Sequence, residues 1–364
     1  MNLMGYEPIK LLGERVWRTY LGGREIDRIH GKKEPMDSHF PEEWMYSVTR
    51  ALNAGREEMV EGICRVDDGS GTTLKKLIEA NPKEMLGEAH LEKWGNTPGV
   101  LIKIIDSMER LTVQVHPDKK MAETLFNSRF GKTECWYILN VRRDSEALPC
   151  IYLGFKEGIT KEKWKECFDR QDYDGMLSLL NRIEVKPGEV YLVKGGIPHA
   201  IGAGCMIIEI QEPTDYTIRV EKVTPSGYEI DDSMCHQGLG FEKMFDCFYY
   251  DGTTAEKTKN QYCIRPKVLE TGLAERRRLV GYGDTGCFGI DRLEITKPYV
   301  WGSRNKFSCL YVLSGNGRLK TETKEYQLKQ NDQFFVPAET GKFAVASTSE
   351  TPVILLEMYG PSTS

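Results

Sequence analysis

Leu111-Thr-Val-Gln-Val-His-Pro-Asp118 is the stretch whose reading decides the fold, together with Gly131-Lys-Thr-Glu-Cys-Trp-Tyr137, whose Glu134 follows His116 by eighteen residues. Alternation of period two predicts a strand with Thr112, Gln114 and His116 on one face and Val113 and Val115 on the other. The second segment behaves alike, placing Lys132, Glu134 and Trp136 together. Two such strands aim an amide, an imidazole and a carboxylate into one cavity. These are nitrogen and oxygen donors suited to a divalent metal, with no thiolate required. A third strand-loop-strand, Val190-Tyr-Leu-Val-Lys-Gly-Gly-Ile-Pro-His-Ala-Ile-Gly202, brings His199 to a glycine-rich turn. Gln114, His116, Glu134 and His199 are therefore read as a metal site with positions open to a substrate. A buried carboxylate such as Glu134 needs a partner, because an unpaired buried charge is costly.

Composition narrows the function classes. With 364 residues the chain has room for two domains, each with an ordinary core. A net charge of -5 with both signs interspersed gives no nucleic-acid surface and no polybasic membrane patch. No run approaches the ~20 apolar residues of a membrane span, and residues 1–10 lack the pattern of a signal peptide. The ten cysteines are scattered without a C-x-x-C pair, which predicts reduced, mostly buried thiols and a cytoplasmic protein. The sequence leaves the oligomeric state open.

Short apolar or alternating runs bounded by Gly, Pro, Asn and Asp recur along the chain, at 101–105, 111–116, 135–141, 190–193, 206–211, 290–295, 307–313, 333–336 and 353–358. That spacing predicts a mostly β protein built from sandwiches or barrels. Helical periodicity interrupts it at about 73–94, with Asn81-Pro82 as an internal cap, and at about 160–181, where Trp164, Cys167, Phe168, Met176, Leu177 and Leu180 form apolar stripes. The polar stretch 251–260 lacks apolar periodicity and marks a boundary between domains 1–250 and 251–364. Beyond it, Gly315-Asn-Gly317 is read as a hairpin turn between two strands. No histidine follows His236, so the second barrel is expected to be structural.

The segments 111–118, 131–137, Gly196-Ile-Pro-His-Ala-Ile-Gly202 and Thr217-Ile-Arg-Val220 together resemble the class I mannose-6-phosphate isomerases, zinc-dependent cupins, and in particular their shorter bacterial members. The resemblance implies two cupin-type (jelly-roll) barrels, only the first metal-bearing. It implies one zinc ion held by Gln114, His116, Glu134 and His199, catalytic roles for Arg219 and Lys132, and a pocket lined by Lys132, Lys103 and Thr112. It also implies an isomerase that interconverts mannose 6-phosphate and fructose 6-phosphate through an enediol. Moving a proton between C2 and C1 of an open-chain sugar develops negative charge on oxygen, and a divalent ion and a permanently charged arginine both stabilise it. Thr217 shares a strand face with Arg219 and is a neighbour in the cavity.

Two segments depart from that pattern. The expected Trp-Gly-Gly is stretched to Trp17-Arg-Thr-Tyr-Leu-Gly-Gly23, and the continuation after Arg219 is altered. The alternatives are an isomerase or epimerase of an unphosphorylated or modified sugar, and a sugar-binding cupin without catalysis. A third is an iron dioxygenase, since His116, His199 and Glu134 also match a two-histidine, one-carboxylate set. For Lys103 the alternative to a pocket position is a solvated strand end.

Overall fold

The strand Leu101–Asp106 is buried along its whole length, because its sheet is covered on both faces. In the computed structural model, which describes residues 6–145 and 148–364, the sheet runs Val190–Val193, Glu134–Val141, Cys205–Gln211, Leu101–Asp106, Glu42–Met45, Glu14–Val16. Every pairing is antiparallel. One face carries Ile105, Trp136, Ile138, Tyr191 and Ile207 into a core shared with a five-stranded sheet, which contains Gln114–Val115, Cys150–Phe155, Leu180–Glu184, His199–Ile201 and Ile218–Arg219. These two sheets form the first barrel. The other face, with Ile102, Ile104, Cys135, Ile208 and Ile210, packs into a core that also holds Cys309, Tyr311, Phe335 and Leu356 of the C-terminal half. The second barrel closes an eight-stranded sheet against a four-stranded one over Leu293, Leu310, Val312, Phe334 and Val345. The protein is thus mostly β, two cupin-type barrels back to back with helical insertions.

Local structure departs from the sequence expectations at four places. Residues 73–94 form three short helices, Leu74–Ala80, Pro82–Leu86 and Glu88–Trp94. Thr73 caps the first through Lys76 N at 3.2 Å. Asn81 is a junction whose side chain accepts from Tyr6 Oη at 3.2 Å and caps nothing. The second insertion is Lys161–Asp169 and Tyr173–Ser178. Gln171 turns left-handed between them (φ 47°), Asp172 caps the second through Gly175 N at 2.9 Å, and Leu180 already opens the strand Leu180–Glu184. The polar stretch after 251 is no open connection. Thr254 caps the helix Ala255–Tyr262, whose Thr258 and Tyr262 face inward at i and i+4, Thr258 bonding Asn181 Nδ2 at 3.1 Å.

The fourth departure is Gly315-Asn316-Gly317. It joins Ser308–Ser314 to Gly317–Lys320, but the two strands lie in different sheets and do not pair. The turn carries the chain across the barrel corner. Gly315 is required there: its φ is 88°, and a Cβ would stand 2.3 Å from Pro352 O. Strand pairing also crosses residue 250. Ile9–Leu12 lies between Gln333–Val336 and Arg65–Val66 in the eight-stranded sheet. Among the described residues no helix is long and apolar enough to cross a membrane. All ten cysteines are unpaired and nine are buried.

Candidate metal centre

Two glycines set the approach of the three segments that carry the site. A Cβ on Gly131 would meet Pro117 O at 2.8 Å, and one on Gly195 would meet Asp118 N at 2.4 Å. With neither present, the Pro117-Asp118 turn nests between the loops before Glu134 and His199. Lys132 N then donates to Pro117 O at 2.9 Å and Gly196 N to His116 O at 2.7 Å. Register does the rest. Gln114 lies directly across from His199 on one side and from Arg219 on the other. Glu134 pairs with Val193 and Gln211 at the end of its strand.

The result is one buried cluster of His116, Glu134 and His199, with ligand atoms all within 4.8 Å of one another. His116 Nδ1 meets Tyr216 O at 2.8 Å and His199 Nδ1 meets Ile197 O at 2.8 Å. A carbonyl only accepts, so each Nδ1 carries its proton and each Nε2 turns a lone pair inward. Burial, with the neighbouring Lys132 ammonium, pushes the His116 imidazole down to about 3, so it is neutral at pH 7. Both Nε2 atoms lie 3.2 Å from Glu134 carboxylate oxygens, and those two buried oxygens accept no hydrogen bond from the described residues. Three sets of lone pairs thus face one another, with the Lys132 ammonium 2.9 Å from His116 Nε2 and 3.6 Å from Glu134 Oε2. A divalent cation would draw those lone pairs together. Gln114 joins them, its amide 3.3 Å from His199 Nε2; a half-turn of that near-symmetric group presents its oxygen.

Thr112, Lys103, Lys132, Gln114 and Arg219 line one cavity beside this cluster. Lys103 is no solvated strand end. It is buried, 2.8 Å from Glu209 Oε2 and 3.9 Å from Glu42 Oε2. Trp44, Lys103, Glu209, Trp136 and Tyr191 form a single rung across five strands, all facing the barrel interior. Trp136 Nε1 completes the Glu209 carboxylate at 3.0 Å. Burial raises the Glu209 carboxyl while Lys103 pulls it back down. Arg219 donates to Thr217 O at 3.2 Å and Met234 O at 3.0 Å. Thr217 lines the same cavity, as their shared strand face implied.

Sequence reasoning missed Arg18, Tyr20, Glu42, Glu209 and Asp215, which line the cavity too. Glu209 had a readable signal: a carboxylate inside the run Met206-Ile-Ile-Glu-Ile-Gln211 must point at a partner. Asp215 and Arg18 lie in loops, where no periodicity reports direction.

Two family models match the chain: phosphomannose isomerase type I, catalytic domain, over residues 20–148, and mannose-6-phosphate isomerase, cupin domain, over residues 284–355. The first spans Lys103 to Glu134 and leaves His199 and Arg219 outside. A probable mannose-6-phosphate isomerase, GmuF, of Bacillus subtilis (strain 168) is 30% identical over 289 residues, 78% of this chain and 84% of that protein. The mannose-6-phosphate isomerase of Streptococcus mutans serotype c is 30% identical over 274 residues, 74% of this chain and 79% of that protein. The crystal structure of mannose 6-phosphate isomerase from Bacillus subtilis matches the fold with a TM-score of 0.73 at 24% identity, covering 97% of this chain and 100% of that one. The chain belongs to the type I phosphomannose isomerase family.

Proposed function

We propose that the protein is a zinc-dependent aldose–ketose isomerase that interconverts mannose 6-phosphate and fructose 6-phosphate through a cis-enediol. The observation that carries this is the Glu134 carboxylate set against two Nε2 lone pairs, beside a cavity with several fixed cations. Gln114, His116, Glu134 and His199 would hold the ion, which when bound supplies a Lewis acid for the sugar's carbonyl oxygen. Arg219, fixed by two backbone carbonyls, places a permanent positive charge where the enediolate develops. Lys132, Lys103 and Thr112 hold sugar or phosphate oxygens. Isomerisation takes a proton from C2 and returns it at C1, while the carbonyl moves from C1 to C2 and the hydroxyl proton passes from O2 to O1. The Glu209 carboxylate, held by Lys103 and Trp136, has the chemistry to accept and return that proton, and Asp215 lines the same cavity. A cytoplasmic setting fits ten unpaired thiols.

The test is turnover by metal-quantified protein. Conversion of mannose 6-phosphate at one zinc per chain supports the reading, and turnover of free sugars alone replaces the substrate. Oxygen consumption by iron-loaded protein, with no isomerisation, overturns it.

A further inference from the structure

Arg18 has no part in the reading above, yet its guanidinium is among the most firmly held groups in the cavity wall. Nε lies 3.0 Å from Glu42 Oε2, Nη1 donates to Asn53 Oδ1 at 3.1 Å, and the guanidinium carbon lies 5.0 Å from the centre of the Trp44 ring. All three partners are buried. Glu42 is itself locked by Tyr20 Oη at 2.8 Å and Trp44 Nε1 at 2.7 Å. Arg18 therefore has almost no freedom to turn. Its remaining nitrogen, Nη2, is buried and has no hydrogen-bond partner among the described residues. Asp215 Oδ2 faces it from 4.0 Å, too far for a hydrogen bond.

A fixed donor with a carboxylate facing it beyond hydrogen-bond reach defines the group that contacts both. A hydroxyl oxygen accepts from Nη2 while its hydrogen goes to Asp215. A phosphate would suit Arg18 but would bring like charge against the Asp215 carboxylate. An unfilled buried guanidinium donor is unfavourable, so the occupant gains from both partners at once. We propose that Arg18, paired with Asp215, is a specificity-determining residue that reads one hydroxyl of the sugar between the reacting carbons and the phosphate. The arrangement selects the configuration at that carbon, because the epimer turns its hydroxyl away from both groups. This rests on the sugar-isomerase reading of the cavity.

The experiment uses mannitol 6-phosphate, which lacks a carbonyl and cannot react, and its 3-, 4- and 5-deoxy derivatives. Binding to the zinc-loaded full-length protein is measured by calorimetry. One deoxy derivative should bind about 10- to 100-fold more weakly than the parent. In Arg18→Met, binding of the parent should fall to the level of that derivative, so that the two differ by less than about twofold, while the other derivatives keep their ratios to the parent. Arg18→Lys, which keeps the charge but not the planar fork, should behave alike and serves if the Met variant fails to fold. Thermal stability and zinc content are checked in each. Equal weakening of every ligand indicates a structural arginine and overturns the assignment. Loss of the preference for mannitol 6-phosphate over mannitol, with deoxy discrimination intact, indicates a phosphate contact and also overturns it. Failure of the unaltered protein to bind any of these polyols overturns the sugar reading itself, an outcome distinct from the other two.

Discussion

Replacing Lys103 by Met leaves Glu209 as a buried carboxylate without its ammonium, and the cost has a ceiling set by pH. The side chains are 5% and 4% exposed and their charged atoms are 2.8 Å apart. Once the partner is gone, Glu209 remains charged only until binding a proton becomes cheaper. From an ordinary value of 4.5, that limit is about 3.4 kcal/mol at pH 7 and about 0.7 kcal/mol at pH 5, at about 1.36 kcal/mol per pH unit. The sign follows from the direction of the shift. A carboxyl held above its unfolded value leaves stability intact below about pH 4.5 and loses it as pH rises through the folded value. For 364 residues at about 2.1 cal/mol/K each, the variant should melt about 4 °C below the unaltered protein at pH 7 and about 1 °C below it at pH 5. Calorimetry on chelated protein, which removes stabilisation by bound metal, reads both. The companion Lys103→Met/Glu209→Gln should recover most of the loss at pH 7. An equal loss at the two pH values would refute the reasoning, because Glu209 would then not be the group left uncompensated.

Three further outcomes are expected. His116→Ala and His199→Ala should each hold well under one metal ion per chain after desalting, measured by atomic emission; a double variant that retains stoichiometric metal would remove the site. Arg219→Lys should lower kcat by roughly 10²-fold with metal content unchanged, since the planar donor set is lost where charge develops; near-normal kcat would leave the arginine a backbone brace. Mannose 6-phosphate should exceed mannose in kcat/KM by more than about tenfold, with binding weakened by salt. A smaller ratio points to a free-sugar isomerase.

Period-two alternation carried most of the site. It put Thr112, Gln114 and His116 on one face and Lys132 and Glu134 on another; Thr112, Gln114 and Lys132 line the cavity, and His116 and Glu134 lie in the cluster beside it. Alternation works there because each face meets a different environment, so a residue's parity fixes its surroundings. It says nothing of which strands are neighbours. Lys103 was legible as a strand residue, yet its burial depends on Glu209 arriving opposite it from a strand over one hundred residues later. The turn at 315–317 reports a change of direction, not a pairing partner, which is why a hairpin was expected where the chain changes sheets. Polar composition hid the helix Ala255–Tyr262, whose inward face is a threonine and a tyrosine.

The placement of Ile9–Leu12 also has a consequence in time. Its sheet partners, Gln333 to Phe335, lie over 320 residues further along the chain. At about 5–20 residues per second, a ribosome needs roughly 15–60 s to make that intervening length. Throughout that interval the strand has an unpaired edge, and Leu11, buried in the finished protein, lacks the C-terminal part of its core. Any pause late in translation lengthens the exposure of this edge.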